Sequence, residues 1–560
     1  MDCKPGAGRA PIPALMAALL LSLPAYAATI TVNVGSDEDA ANGSCSLREA
    51  IIAANTDADY NGCVGAAAYG TDVIVFAIPG AGPHIISLAT ALPDITTPVQ
   101  IYGYSQAGSS MNNTASGTNA VLQVGIANGA GVANGFTFGI GAAGSSLAGL
   151  RITGFSGPGV LVTAVSDVTV SGNFIGTDGV NDLGNAIGVY ALNGASNITI
   201  GGPAEAQRNL ISGNNAHGVL LQNPTTGNVT IQNNLIGTTA DGNTPLFGAS
   251  GIYLGAAGSD IAITGNVIGG EEGIRIWGGS DSVAITANSI GVGVDGSTDI
   301  GGADNGIYIR TFLGGTPHHN VIGGTNPADG NLIANWGSDG VNIERDDAAT
   351  AFPYGNQILG NRIAANGGLG INLVDSAGGT GAGANPNDID DTDDGPNGYQ
   401  NFPLITAATT NGVNTAVSFS LDGPPTGSNY RLEFFSSPSC DTSGYGEGAV
   451  YLGASNWLSG DGDVDGTGNS LPATTPGEYI SATATLLDTD ETSEFSACYR
   501  VTSGAVTSGG VASPAGDIDS IPTLPAWGLV LLSLILTGTA GTFSRTGVRF
   551  TPNRPTGSES

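Results

Sequence analysis

"GIYLGAAGSDIAITGNVIG", residues 251–269, contains three short phrases that recur through the middle of the chain. The first has four positions, which are Gly, then Ile or Val, then a variable residue, and then an apolar residue. The second is a small residue between two apolar ones, and the third is Asn-x-Ile three residues further on. This alternation has the period of a β-strand and no helical period. The stretch therefore predicts one turn of a repeat made of two or three short strands.

The first phrase occurs eight times. It begins at Gly159, Gly188, Gly218, Gly251, Gly273, Gly306, Gly340 and Gly370. A single turn cannot bury its own apolar face, so we predict that successive turns stack into a parallel β-solenoid. The third phrase places Asn173, Asn234, Asn266, Asn288 and Asn361 at one corner. Stacked asparagines can form a hydrogen-bonded ladder there.

Composition narrows the function classes. Gly is frequent, at 91 of 560 residues, and charged residues make up 11%, which favours many short strands joined by glycine turns. The chain has 47 acidic residues against 14 basic ones, and its only lysine is Lys4. Without a basic stripe, a nucleic-acid partner is not expected.

The segment "SCSLREAIIAAN", residues 44–55, predicts an amphipathic helix that closes the N-terminal end of the solenoid. Ser46 and Glu49 have the spacing of a capping box. Cys45 to Ala50 resembles the CSLREA motif that begins a group of secreted bacterial right-handed β-helix proteins. The resemblance is close over residues 30–55 and extends by pattern to about residue 374. It implies a right-handed β-helix and no particular chemistry.

The predicted organisation has eight segments. They are a signal peptide (1–27), the cap and first coils (28–145), β-helix repeats (146–376), an acidic junction (377–403), an antiparallel β-sandwich of about seven strands (404–501), a linker (502–520), a transmembrane helix (521–544) and a basic cytoplasmic tail (545–560). The uncharged stretch 521–544 is long enough to span a bilayer, and the arginines after it favour a cytoplasmic tail.

The end of the chain carries a sorting motif. Its residues are Ile521, Pro522, Thr523, Leu524, Trp527 and Gly528. They resemble the IPTL-CTERM signal, which implies an exosortase-type enzyme as partner and removal of the tail. The alternative is a permanent membrane anchor. Together with the signal peptide, the motif predicts export to the cell envelope, cell surface or extracellular space.

Four cysteines remain after the signal peptide. An even number in an exported chain favours disulfides, and we expect the pairs Cys45–Cys63 and Cys440–Cys498 because each lies within one segment. The alternative is free buried thiols.

Calcium is the one metal that the sequence suggests, and no cofactor is predicted. The acidic junction contains Asp388, Asp390, Asp391, Asp393 and Asp394, and a second acidic run, "DGDVDG", occupies residues 461–466. Ca²⁺ takes several oxygen ligands of this kind. The alternative is a solvated acidic linker and a hairpin turn.

The variable third letter of the glycine phrase points outward. The central coils place Tyr253, Arg275, Trp277, Tyr308 and Arg310 on one exposed face. Aromatic rings beside guanidinium groups suit sugars, so we predict a ligand-binding face for a polysaccharide or cell-surface glycan. The alternative is a plain solvated sheet.

Catalysis has weaker support. Glu344 is the one acid at these outward positions, and Glu272, Asp304 and Asp339 lie at the preceding bends, where their direction cannot be read. We therefore expect an exported, surface-sorted β-helix protein with a structural, adhesion or glycan-binding role. The alternative is a polysaccharide lyase, hydrolase or epimerase on the same scaffold.

Overall fold

The computed structural model describes residues 28–65, 70–222, 227–346, 348–376, 383–424, 427–459 and 463–506. Within these ranges no helix combines the length and the apolar character needed to cross a membrane. The predicted signal peptide (1–27), sorting motif, transmembrane helix and basic tail all lie outside the described residues.

Three parallel sheets form the body of the protein, and their strands are numbered in chain order. From Val99 onward, each turn of the chain adds one strand to each sheet. The first sheet has eleven strands: β1 Thr29–Val32, β2 Asp72–Phe76, β4 Val99–Tyr102, β7 Ser146–Ala148, β10 Thr169–Ser171, β13 Ile198–Gly201, β16 Val229–Gln232, β19 Ile261–Thr264, β22 Val283–Thr286, β25 Val321–Gly323 and β28 Gln357–Leu359.

The second sheet has ten strands, many of only two residues: β3 His84–Leu88, β5 Val124–Asn128, β8 Leu150–Thr153, β11 Phe174–Ile175, β14 Leu210–Ile211, β17 Leu235–Ile236, β20 Val267–Ile268, β23 Ser289–Ile290, β26 Leu332–Ala334 and β29 Arg362–Ala364. The third has nine: β6 Phe136–Phe138, β9 Pro158–Thr163, β12 Ile187–Leu192, β15 His217–Gln222, β18 Ser250–Gly255, β21 Glu272–Trp277, β24 Ile307–Arg310, β27 Val341–Arg345 and β30 Ile371–Asp375.

The apolar letters of the repeat form columns in the core. Ile261 of the first sheet pairs with Val229 on one side and Val283 on the other, and all three are fully buried. In the third sheet Ile252 pairs with Ile274 in the same way. Burying each such side chain contributes roughly 1.5–3 kcal/mol. The prediction of a parallel β-helix is thus confirmed, with three strands in a complete turn.

A ladder of buried asparagines runs along the corner between the first and second sheets. In each case the side-chain Nδ2 donates to the Oδ1 of the next asparagine, at 2.8–3.3 Å. The members are Asn173, Asn209, Asn234, Asn266, Asn288, Asn331 and Asn361. Each Oδ1 beyond the first also accepts a backbone N–H of the preceding asparagine. The sequence predicted five of these seven residues.

Helix α1, Leu47–Thr56, lies at the N-terminal end and packs against β1 and β2. Its capping box is complete, because the Ser46 hydroxyl accepts the Glu49 N–H and the Glu49 carboxylate accepts the Ser46 N–H. The disulfide Cys45–Cys63 fixes the segment before the helix to the loop after it. The second predicted disulfide, Cys440–Cys498, is also present.

Two antiparallel sheets follow the β-helix and share one buried apolar cluster. The described residues form nine strands here, three of them of only two residues, where about seven strands were expected. They are β31 Leu404–Thr410, β32 Asn414–Leu421, β33 Asn429–Ser437, β34 Val450–Leu458, β35 Val464–Pro472, β36 Tyr479–Leu486, β37 Glu491–Thr492, β38 Tyr499–Arg500 and β39 Thr502–Ser503. One pair, β31 with β39, is parallel rather than antiparallel. Short 3₁₀ turns occur at Gly103–Ser105, Glu205–Gln207, Ile389–Asp391 and Pro396–Tyr399.

This C-terminal part docks on the last turn of the β-helix through side-chain acceptors. The Glu433 carboxylate accepts the Gly360 N–H at 2.8 Å, and the Thr492 hydroxyl accepts the Ile358 N–H at 2.9 Å. The last turn of a parallel β-helix otherwise leaves a row of backbone donors without partners. The antiparallel sheets therefore occupy the C-terminal edge of the β-helix.

Candidate functional site

The candidate site lies on the outer face of the third sheet, where the register aligns three outward columns. One column runs through Leu220, Tyr253, Arg275, Tyr308 and Asn342. A second runs through Gln222, Gly255, Trp277, Arg310 and Glu344. The third passes through His217, Ser250 and Glu272, which immediately precede the glycines. We call the outward side chains of β15, β18, β21, β24 and β27 the Trp277 face.

Trp277 is at the centre of a cluster of rings and guanidinium groups. The Arg275 guanidinium carbon lies 4.5 Å from the Trp277 ring centroid, and that of Arg310 lies 5.5 Å away. The Tyr253 and Tyr308 rings meet Trp277 edge-on at 5.7 and 6.0 Å. These contacts hold partly exposed side chains in fixed positions. The structure therefore brings together all five residues of the predicted binding face.

Gly255 and His217 extend this surface toward the N-terminal coils. The His217 and Tyr253 rings are 5.1 Å apart. A Cβ on Gly255 would lie 3.3 Å from the end of the Tyr253 ring. The glycine thus lets the Tyr253 ring lie close to the sheet between Gln222 and Trp277.

Both arginines are paired with acids. Arg275 Nε donates to Glu272, which is almost wholly buried. Arg310 lies 3.4 Å from Glu344 and 3.2 Å from Asp346. The Tyr308 hydroxyl donates to Glu344 as well. The positive charges of the face are therefore locally balanced, and the groups that could meet a ligand are mainly hydrogen-bonding edges and ring faces.

Several polar atoms of the face have no partner among the described residues. They are His217 Nδ1, Ser250 Oγ, Trp277 Nε1 and Asn342 Oδ1. Ser250 is 2% exposed and Asn342 is 8% exposed. An unpaired buried polar group is costly and rare in a native protein. These four atoms lie beneath the surface of the face rather than on it.

Burial shifts the pKa values of the titratable groups. Burial raises the pKa of Glu272 to about 7, and Asp304 adds to the rise, while Arg275 opposes it. Burial, assisted by the charge of Arg275, lowers the pKa of His217 to about 4. Burial also raises the pKa of Tyr253 and of Tyr308, the latter further through its bond to Glu344. His217 is therefore neutral near pH 7.

Glu272 and Glu344, the two candidate acids that contact the arginines of the face, lie far apart along it. Glu272 and Glu344 are two strands apart and offset by five residues, so their Cα atoms are separated by roughly 19 Å. The two carboxyls of a glycosidase are about 5–9.5 Å apart. Asp339 is engaged by Asn342, Asn372 and the Leu369 N–H. Asp304 is exposed and close enough to Glu272 to raise its pKa.

Sequence reasoning missed His217 and Ser250. Both directly precede a repeated glycine, as Glu272 does. The sequence signal for this column was therefore the residue just before each glycine phrase. Its direction could not be read, because alternation gives no orientation for a residue that enters a strand from a bend.

The acidic junction brings three of its five aspartates together. One carboxylate oxygen each from Asp388, Asp391 and Asp393 lies within 4.8 Å of the others. Asp390 and Asp394 are not in this group. Burial raises the pKa of Asp391 to about 7 and of Asp393 to about 6, and the neighbouring carboxylates add to both shifts. Carboxylates of this kind fit Ca²⁺. Of the second run, residues 461 and 462 lie outside the described residues.

Residues 101–290 match the family described as right handed beta helix region. The fold of the repeat region is a right-handed β-helix. The match covers about a third of the chain, and no curated protein matches the sequence.

Solved structures similar to this chain include the A-module of a mannuronan C-5 epimerase from Azotobacter vinelandii. It is 16% identical, with a TM-score of 0.31 over 54% of this chain and 87% of that chain. The enzymatically active domain of bacteriophage CBA120 tailspike protein 2 is 11% identical, with a TM-score of 0.28 over 78% and 72%. The tailspike protein gp49 of Acinetobacter baumannii bacteriophage Fri1, a capsular polysaccharide depolymerase, is 12% identical, with a TM-score of 0.24 over 76% and 80%. These similarities concern fold alone.

Proposed function

We propose that this protein binds a polysaccharide along the Trp277 face. The observation that carries the proposal is the cluster of partly exposed aromatic rings around Trp277, held beside the Arg275 and Arg310 guanidinium groups. Ring faces accept the C–H surface of a sugar, and polar groups placed beside them fix its orientation.

The charge balance favours an uncharged, hydroxyl-rich glycan. Arg275 is paired with Glu272, and Arg310 with Glu344 and Asp346, so neither guanidinium offers a free charge. The chain as a whole carries a formal charge of −33, which repels a polyanion. We therefore expect neutral polysaccharides to bind more tightly than uronate polymers at neutral pH.

The test compares two matched variants in a polysaccharide array, followed by titration of any hit. Trp277→Ala combined with Tyr308→Ala should weaken binding about thirtyfold or more, the effect of losing one hot-spot aromatic. Tyr190→Ala is the control, because Tyr190 occupies the Tyr308 column four strands earlier and contacts Gln222 rather than Trp277. Equal binding by the parent and the double variant, or no binding by either, would refute the proposal.

A second candidate is acid–base chemistry on the same polysaccharide. The observation that favours it is the raised pKa of Glu272 close to Asp304, with a neutral His217 in the same column. Groups whose pKa values are shifted apart in one site can act as acid and base. Incubation with each bound polysaccharide, followed by product analysis, separates the two functions. A binder leaves the polymer intact, whereas an enzyme shortens or epimerises it and loses that activity in Glu272→Gln.

We also propose that the protein is exported and sorted to the cell surface, where glycan binding would serve adhesion or a structural role. The support is the signal peptide, the two disulfides and the sorting motif at Ile521–Gly528. An exosortase-type enzyme is the expected partner. Mass spectrometry of the mature protein from its host should find no peptides from residues 545–560. Stoichiometric recovery of these peptides would argue for a permanent anchor.

A further inference from the structure

Two adjacent histidines meet at a corner of the β-helix, away from the Trp277 face. His318 and His319 directly precede the buried Asn320, at the entry to the first sheet. The same corner position is left-handed in other coils, where Asp260 and Ser282 occupy it with φ of 58° and 54°. His319 takes it with φ of 52°. The corner backbone therefore turns His319 back toward His318.

The imidazole rings converge through equivalent nitrogen atoms. His318 Nδ1 and His319 Nδ1 are 2.9 Å apart. The His318 ring stacks on Tyr354, at 5.0 Å between centroids and 24° between planes. His319 meets the same tyrosine edge-on at 5.5 Å. Tyr354 thus supports both rings in the orientation that brings the two Nδ1 atoms together.

The outer nitrogen of His318 faces a carboxylate. His318 Nε2 lies 3.9 Å from the Asp281 carboxylate. His319 interacts electrostatically with Glu491 of the C-terminal part. Gly355 lies beside His319, and a Cβ there would come within 3.1 Å of the imidazole Cδ2. Histidines that bind metals through one nitrogen commonly direct the other toward a carboxylate, which fixes the ring.

We propose that His318 and His319 bind one divalent transition-metal ion of the Cu²⁺ or Ni²⁺ class through their two Nδ1 atoms. Metal–imidazole bonds are about 2.0–2.1 Å long, so two ligands at a right angle are about 2.9 Å apart. Tetrahedral ligands at the same bond length are about 3.3 Å apart. The observed 2.9 Å matches the right angle, which is typical of tetragonal Cu²⁺ and Ni²⁺ sites.

The pair also has the accessibility that an ion requires. His319 is exposed, and His318 keeps 30% of its side chain accessible. Water would fill the remaining coordination positions. In the metal-free protein one Nδ1–H donates to the other Nδ1. When the ion binds, that proton moves to Nε2 of the same ring, so both imidazoles stay neutral and both Nδ1 atoms bind the ion. The site is independent of the Trp277 face, so it stands whether or not a glycan binds there.

The test is titration of the untagged full-length chain with Cu²⁺, Ni²⁺ and Zn²⁺, with calorimetry and, for Cu²⁺, paramagnetic resonance. The parent should bind one Cu²⁺ with hyperfine coupling to two imidazole nitrogens. His318→Gln and His319→Gln should each lower the affinity at least about tenfold, and Asp281→Asn about tenfold, as removal of an outer carboxylate does. His84→Gln and His217→Gln are the controls and should bind as the parent does.

Three outcomes would overturn the proposal. They are the absence of Cu²⁺ binding by the parent, equal binding by the parent and the double His318→Gln, His319→Gln variant, and tighter binding of Zn²⁺ than of Cu²⁺. Circular dichroism of each variant checks that the protein is folded, so that a loss of metal binding is not caused by unfolding. Because both histidines are at the surface, neither substitution removes a core contact.

Discussion

The carboxylate of Glu494 accepts the backbone N–H of Leu373 at 2.9 Å, and so joins the C-terminal sheets to the last strand of the β-helix. Its second oxygen accepts the Asn385 N–H at 2.6 Å. Glu447 acts in the same way on Ala365 and Asn366. Acidic side chains thus complete the ladder where no further strand follows. The antiparallel part closes an edge that would otherwise invite association with another chain.

Replacing Glu494 by Leu should destabilise the protein. It leaves two backbone donors without acceptors, at roughly 1–3 kcal/mol each. Chemical denaturation should show the loss, and limited proteolysis should show earlier cleavage of the junction after Leu373. Glu205→Gln is the matched control, because Glu205 is exposed. A Glu494→Leu protein as stable as the control would show that the carboxylate does not hold the two parts together.

The same glutamate makes stability depend on pH. Burial raises its pKa from 4.5 to about 8, against the opposing hydrogen bonds from Leu373 and Asn385. A group whose pKa is higher in the folded than in the unfolded state stabilises the folded protein fully at a pH below its unfolded pKa. This contribution is lost as the pH rises through the folded pKa. The free energy of unfolding should therefore fall between about pH 4.5 and 8. Glu494→Leu should flatten this slope, and an unchanged slope in the variant would contradict the assignment.

The sequence specified the β-helix well because burial enforces alternation. A strand shifted by one residue would expose its whole apolar set, so the positions after each glycine determined the register of Ile252 with Ile274. The asparagine ladder was predicted only in part. Asn209 and Asn331 follow six-residue insertions. They therefore lie nine residues after the last apolar residue of the second phrase, instead of three. The Asn-x-Ile phrase itself is present at both places.

Only part of the candidate site could be predicted from the sequence. The columns through Tyr253 and Trp277 follow from alternation within a strand, whereas the orientations of His217 and Ser250 depend on a bend. The docking glutamates carry no local pattern at all. Glu494 and Leu373 are 121 residues apart, and only the tertiary structure brings them together.

The acidic junction remains a prediction of a calcium site, and it can be tested directly. Ca²⁺ should raise the melting temperature of the parent, because ligands that bind only the folded state stabilise it. Asp391→Asn should remove most of the increase, since Asp391 is a half-buried member of the group. Asp394→Asn should retain it, because Asp394 is exposed and lies outside the group. Mg²⁺ serves as the ion control. An equal increase in all three proteins would exclude this site.

The asparagine ladder should be more sensitive to substitution than any exposed asparagine. Asn266 Nδ2 donates to the Ile231 carbonyl at 2.8 Å and to Asn288 Oδ1 at 3.0 Å, and its own Oδ1 accepts from Asn234. Asn266→Ala leaves these buried partners unsatisfied, at about 1–3 kcal/mol for each group. We expect the free energy of unfolding to fall by at least about 3 kcal/mol in chemical denaturation.

The control is Asn429→Ala, which removes an exposed hydrogen bond to Asp488 and should cost less than about 1 kcal/mol. Hydrogen exchange should also accelerate at Asn234, whose backbone N–H donates to Asn266 Oδ1 at 2.9 Å. Equal stability of the two variants would mean that neighbouring coils close around the gap and that the apolar columns alone hold the corner.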